Sequence, residues 1–132
     1  MHKDIFFHGK LIAQFYDLNS VKDISFPTPD ESSLQFGYGT INHDKSLLPH
    51  IHKEVERIIQ NTAEFLYVIN GKMKIEILYD KENIVEVIEL KNNQGLLQFH
   101  GGHRINISEG TKYFEIKQGP YLGKNLDKEI IK

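Results

Sequence analysis

A chain of 132 residues is long enough to build one core and too short for two domains of ordinary size. Sixteen basic against eighteen acidic side chains leave a formal charge of −2, which gives no bulk attraction to phosphate backbones or anionic lipid and argues against nucleic-acid and membrane partners. Cysteine is absent, so disulfides, thiolate nucleophiles and cysteine-ligated zinc are excluded, and a metal centre would have to be built from His and carboxylate. No apolar run approaches the roughly 20 residues that span a bilayer, and no charged leader precedes a hydrophobic block, which predicts a cytoplasmic protein. Leu, Ile, Val and Phe supply about a third of the chain, too much for a disordered segment. Ile is the commonest residue while Ala occurs only at Ala13 and Ala63, a balance that favours β-structure over helix.

Residues 1–33 read as an N-terminal arm or strand and a proline-containing loop. Lys10–Tyr16 alternates as a strand, with Leu11, Ala13 and Phe15 on one face. His2 and His8 belong to the arm and carry no signal. Pro27 and Pro29 make Phe26–Ser33 a loop. Residues 34–121 then break into short runs bounded by turn residues: Leu34–Ile41, Glu64–Ile69, Met73–Tyr79, Ile84–Leu90, Leu96–Phe99, Arg104–Ile107 and Lys112–Ile116. This spacing predicts an all-β, largely antiparallel sandwich or barrel. Asn70-Gly71 predicts a tight type I′ hairpin, Asp80–Asn83 a longer hairpin loop and Lys91–Gly95 a third turn. Helical patterns are weak: Lys53–Gln60 offers a two-turn stripe of Val55, Ile58 and Ile59, and residues 122–132 form a tail that could hold a last helical turn from Asn125 onward.

The chemistry-bearing segment is Pro49-His50-Ile51-His52. On an extended strand alternate side chains share a face, so the two imidazoles could chelate one ion. His43, on the loop before them, reads as solvated. Glu64 opens a strand on the face of Leu66 and Val68, where an acid is costly unless it is paired or binds a cation. Gly101-Gly102-His103 starts another strand, its glycines permitting a tight turn or a close backbone approach.

The order His-x-His, Glu-x6-Gly, Gly-turn, His resembles the cupin superfamily. In its first motif, G-x5-H-x-H-x3,4-E-x6-G, His50, His52, Glu64 and Gly71 take the main positions; in its second, G-x5-P-x-G-x2-H-x3-N, Gly95, His103 and Gly101 or Gly102 do so. The departures are an eleven-residue gap between His52 and Glu64, which leaves Glu56 as the acid at the usual spacing, a second motif without its proline and three residues shorter, and an asparagine one place early at Asn106. The opening glycine is replaced by Asp44. Thr62–Val68, Gly101-Gly102-His103 and Glu115–Tyr121 are also similar to small cupins of bacterial surface-polysaccharide biosynthesis.

The resemblance implies a cupin-type antiparallel β-barrel, a double-stranded β-helix or jelly roll, over residues 34–121. It implies one divalent transition ion (Fe, Mn, Co, Ni or Zn) on His50, His52, Glu64 and His103, acting as a Lewis acid on a small polar substrate. The function it suggests is a sugar-nucleotide isomerase or epimerase of cell-surface polysaccharide biosynthesis. Its acid/base candidates are His100, Tyr38, Glu115 and Lys117. Along Tyr113–Lys117, Phe114 and Ile116 are the expected core face, leaving Tyr113, Glu115 and Lys117 solvated; if the polar face lines the barrel instead, it is a substrate wall. Other readings are an Fe-dependent dioxygenase, a non-catalytic small-molecule-binding cupin, and a barrel with incidental histidines whose edge strands pair. A homodimer is expected; nothing calls for an organic cofactor.

Overall fold

The runs rich in branched and aromatic residues form strands whose side chains alternate between two faces. The computed structural model describes residues 1–131, and these contain β1 (His2–Phe7), β2 (Lys10–Asp17), β3 (Glu64–Asn70), β4 (Met73–Leu78), β5 (Ile84–Leu90), β6 (Gln94–Gln98), β7 (Gly102–Ile107), β8 (Lys112–Lys117) and one helical turn, α1 (Lys124–Asp127). The fold is all-β. One antiparallel sheet has the order β1-β2-β6-β3-β8 and the other β5-β4-β7. From β3 onward the chain crosses between them at every connection except the β4–β5 hairpin, so the sheets face each other, but they do not close into a barrel among the described residues. No helix there is long and apolar enough to cross a membrane.

Four local expectations change. The N-terminal residues are not merely an arm: β1 pairs with β2 through a His8-Gly9 turn whose φ angles of 49° and 76° supply the two positive values a tight hairpin needs. Asn70-Gly71 is not a hairpin, because β3 and β4 belong to different sheets. Only Gly71 has positive φ, at 119°, and its N–H donates to Asn92 Oδ1 at 2.7 Å while Lys72 N–H donates to Thr111 Oγ1 at 3.1 Å. These side chains hold the chain at a corner between sheets. Leu34–Ile41 is not a strand; only Tyr38 bridges, to Ser25, and the segment lies folded over the first sheet. Lys53–Gln60 is not helical, since a two-turn stripe is too short to nucleate without a surface to pack on.

Asp80–Asn83 does join β4 and β5 as a hairpin, with Asp80 Oδ1 accepting from the N–H groups of Glu82 and Asn83. The tail turn starts at Lys124 rather than Asn125, and the last residue of the expected tail, Lys132, lies outside the described residues.

Between the sheets Leu66, Val68, Met73, Ile75, Ile77, Leu90 and Leu96 form the core. Each such side chain contributes roughly 1.5–3 kcal/mol by leaving water. On the outer face of the larger sheet a second cluster joins Tyr16, Phe65, Leu97 and Phe99 under Leu34, Phe36 and Tyr38. Tyr16 is fully buried there, and its hydroxyl donates to Gln14 Oε1 at 2.7 Å. The Gln14 amide in turn donates to Asp4 Oδ1 and to the Pro27 carbonyl, tying the proline loop to β1 and β2. Burial and the neighbouring Asp4 push the Tyr16 phenol above its ordinary range, so it stays neutral and a donor. Tyr16→Phe leaves Gln14 Oε1 buried without a donor and is expected to cost about 1–3 kcal/mol, read as a lower midpoint in urea with an unchanged slope.

Candidate functional site

The two sheets are drawn together at one side, where Lys3 of β1 meets Glu86 of β5 at 3.0 Å. At the other side the edge strands β7 and β8 stand apart, and a cavity of about 470 Å³ opens between them. Glu64, His103, Arg104, Glu115 and Lys117 line it, and the tail from Asp127 to Ile131 forms a further wall. The tail is thus part of the site.

Pairing explains which side chains arrive. On β3, Glu64, Leu66 and Val68 share the inner face, as alternation predicts, and β8 lies in register with Lys117 opposite Glu64 and Glu115 opposite Leu66. The polar face of β8 therefore turns toward the cavity, reversing the expectation that Phe114 and Ile116 face the core. Those two look outward: Phe114 stacks on Tyr67 at 5.1 Å, and Ile116 is 52% exposed. The register with β3 decides the face, whereas apolar character alone suggests the opposite.

His103 is placed by a backbone turn that only glycine suits. Gly101 has φ 81°, and a Cβ there would collide with the Leu78 carbonyl. The His103 ring is then fixed by Gln98, 5% exposed at the end of β6. The Gln98 amide nitrogen donates to the carbonyls of His100 at 2.9 Å and Gly102 at 2.7 Å. Its oxygen must therefore face His103 Nδ1, 2.9 Å away, because the reverse placement would aim an oxygen at two carbonyls. Nδ1 carries the proton. Burial holds this imidazole below its ordinary pKa despite Glu115, so at neutral pH it is uncharged, with the Nε2 lone pair free.

That lone pair faces Glu64, with Nε2 and Oε2 3.4 Å apart and both side chains about four-fifths buried. Burial first, then a hydrogen bond and repulsion from Glu115, raise the Glu64 pKa to about 7, outweighing Lys117 and Lys128. A half-protonated carboxyl thus confronts a neutral imidazole acceptor. Behind them Lys117 lies 3.7 Å from Asp127, whose side chain is only 10% exposed. A carboxyl with a raised pKa beside a neutral imidazole is suited to passing a proton.

The expected metal ligands do not all meet. Glu64 and His103 come together, while His50 and His52 lie on an exposed extended segment and do not line the cavity. Their rings are neighbours, with centroids 5.2 Å apart, and His50 Nδ1 donates to the Leu48 carbonyl at 2.9 Å. Glu56 lies on the same exposed segment. Among the described residues no three His, Asp or Glu side chains are placed to hold one ion, so the set as it stands in a single chain does not fit the metal that the resemblance implies. Of the acid/base candidates, Glu115 and Lys117 line the cavity. Tyr38 packs on the opposite face of the sheet near Tyr16 and Phe36, and His100 does not reach the cavity, its pKa lowered by burial and by Lys10. Sequence reasoning missed Gln98, Arg104, Asp127 and Lys128. For Gln98 the signal was an amide ending the apolar run Leu96-Leu97; the tail residues gave none.

The raised Glu64 pKa has a direct sign. Its protonated form stabilises the folded chain, fully below the ordinary carboxylate range, and that stability is lost as pH rises through about 7. Glu115→Gln removes the repelling carboxylate. It is expected to raise the melting temperature by about 2–4 °C at about pH 8, the equivalent of roughly 0.5–1 kcal/mol, with no gain at about pH 4, in thermal denaturation at both values.

Compared with known proteins, the chain matches no family model, no curated protein and no solved structure.

Proposed function

We propose that this chain is an isomerase or epimerase that moves a proton on a small polar substrate, with a sugar or nucleotide-linked sugar of surface-polysaccharide synthesis as the substrate class. The single observation that carries the reading is the Glu64–His103 pair, with the imidazole lone pair at Nε2 held 3.4 Å from a carboxyl whose pKa lies near 7. The likeness of Thr62–Val68, Gly101-Gly102-His103 and Glu115–Tyr121 to small cupins of surface-polysaccharide biosynthesis supports the substrate class, and the repeated crossing of the chain between two facing sheets is compatible with a jelly roll.

In this reading His103 Nε2 takes the proton from the carbon beside a substrate carbonyl, while protonated Glu64 gives its proton to the carbonyl oxygen. The resulting enediol returns a proton to either carbon or to either face. Lys117 and Lys128 at the cavity wall supply positive charge for the developing oxyanion or for a phosphate. No step is routed through a metal, because within one chain the histidine pair that would complete a ligand set does not line the cavity.

The test is solvent-deuterium exchange into candidate ketoses, aldoses and nucleotide-linked sugars, followed by proton NMR. Deuterium is expected at the carbon next to the carbonyl, with the rate reduced about 10²–10⁴-fold in Glu64→Gln and in His103→Phe. The profile of kcat/KM should be bell-shaped: activity falls above about 7 as Glu64 loses its proton, and falls on the acid side below the ordinary histidine range as His103 gains one. Binding of these sugars with no exchange would replace the enzyme with a holding module.

A further inference from the structure

Two deficits in the molecule match each other. Among the described residues β7 is paired only with β4 and β8 only with β3, so two strand edges stand open on either side of the cavity mouth. Unpaired edges accept extended chain readily. Meanwhile residues 39–60 have no regular structure and are exposed at every position. Leu47, Leu48, Ile51, Val55 and Ile58 along this stretch are 58–92% exposed. The segment is pinned at both ends, by Thr40 Oγ1 donating to the Val21 carbonyl at 2.6 Å and by Asn61 Nδ2 donating to the Phe99 carbonyl at 2.9 Å. A structureless excursion of this length inside a domain ordinarily serves a function.

We infer that residues 41–60 form an arm exchanged between two copies of this chain, each arm adding to the open β7–β8 mouth of the other copy and carrying His50 and His52 to that copy's Glu64–His103–Glu115 cluster. A second copy is the occupant because the arm leaves its own body bare. Its ends are anchored there, yet its apolar side chains stay in water, where each forgoes the gain that cover by a neighbour would give. A two-fold exchange removes both deficits at once, since every copy offers one arm and receives one. The mouth holds the Glu64 and Glu115 carboxylates, to which ring N–H groups of the partner's His50 and the partner's His52 would donate. The exchange also accounts for a histidine pair on the same chain as Glu64 and His103 but away from them: the site is completed between copies. This inference stands or falls separately from the proton-transfer reading, because its readouts are mass and proximity rather than turnover.

The experiment uses the full chain. Sedimentation equilibrium at micromolar concentration is expected to give twice the 15.3 kDa chain mass, falling to one chain mass in Leu48→Glu/Ile51→Glu. That variant should keep the wild-type far-UV circular dichroism spectrum, because the arm lies outside both apolar clusters, while its melting temperature falls with the loss of association. The absence of native cysteine allows a second measurement that does not depend on the double variant folding. Tagged Ile51→Cys chains are mixed with untagged Asn106→Cys chains and treated with a short bis-maleimide, and cross-linked heterodimers are expected. A monomeric wild type, a dimer indifferent to Leu48→Glu/Ile51→Glu, or cross-linking only within a single Ile51→Cys/Asn106→Cys chain would each overturn the exchange.

Discussion

The carboxamide of Gln98 is the constraint on which the site depends. Its nitrogen donates to two backbone carbonyls, so its oxygen has one orientation and the imidazole beyond it one tautomer. Without that amide His103 would be free to place its proton on Nε2 and offer a donor, not an acceptor, to Glu64. A neutral residue at the end of β6, paired with Glu64 in the same sheet, therefore sets which ring nitrogen of His103 faces that carboxyl. The same bonds fasten the turn before β7 to the larger sheet, so ring orientation and backbone position are fixed together.

Where the sheets meet at β1 and β5 they pack over an uninterrupted apolar core, and where they part the inner faces turn polar. The change follows from the pleat. The inner face that carries Leu66 and Val68 on β3 carries Glu64 at the mouth, and β8 continues that face with Glu115 and Lys117. Partial burial there raises the cost of ionising Glu64 without making it prohibitive. A deeper site would leave Glu64 permanently protonated, and a wet one would leave it permanently ionised. The open side is thus where this fold can hold a carboxyl that titrates near neutrality, at some expense in stability when the pH rises.

Much of the strand layout was legible because half-buried strands repeat every two residues; Ile84–Leu90 coincides with β5, and Glu64 was placed on the face of Leu66 and Val68 by alternation alone. Sequence pattern does not say which sheet a strand joins. Asn70-Gly71 marks a reversal of the chain, but the corner crosses between sheets because Asn92 and Thr111, distant in sequence, hold it there. For the same reason β8 was turned the wrong way: its partner's register is a long-range fact. Gln98 and the Asp127–Ile131 wall escaped because neither amides nor a short polar tail have a spacing rule. The histidine pair was legible as a chelating motif, while its separation from Glu64 and His103 depends on where a twenty-residue excursion goes, which no local pattern encodes.

The most direct measurement is an NMR titration of the full chain that follows the ring nitrogens of His103 and the side-chain carboxyl carbon of Glu64 together. The account predicts a His103 ring protonated on Nδ1 at neutral pH and a Glu64 midpoint at about 7. A ring protonated on Nε2, with Glu64 titrating near its ordinary 4.5, would contradict it.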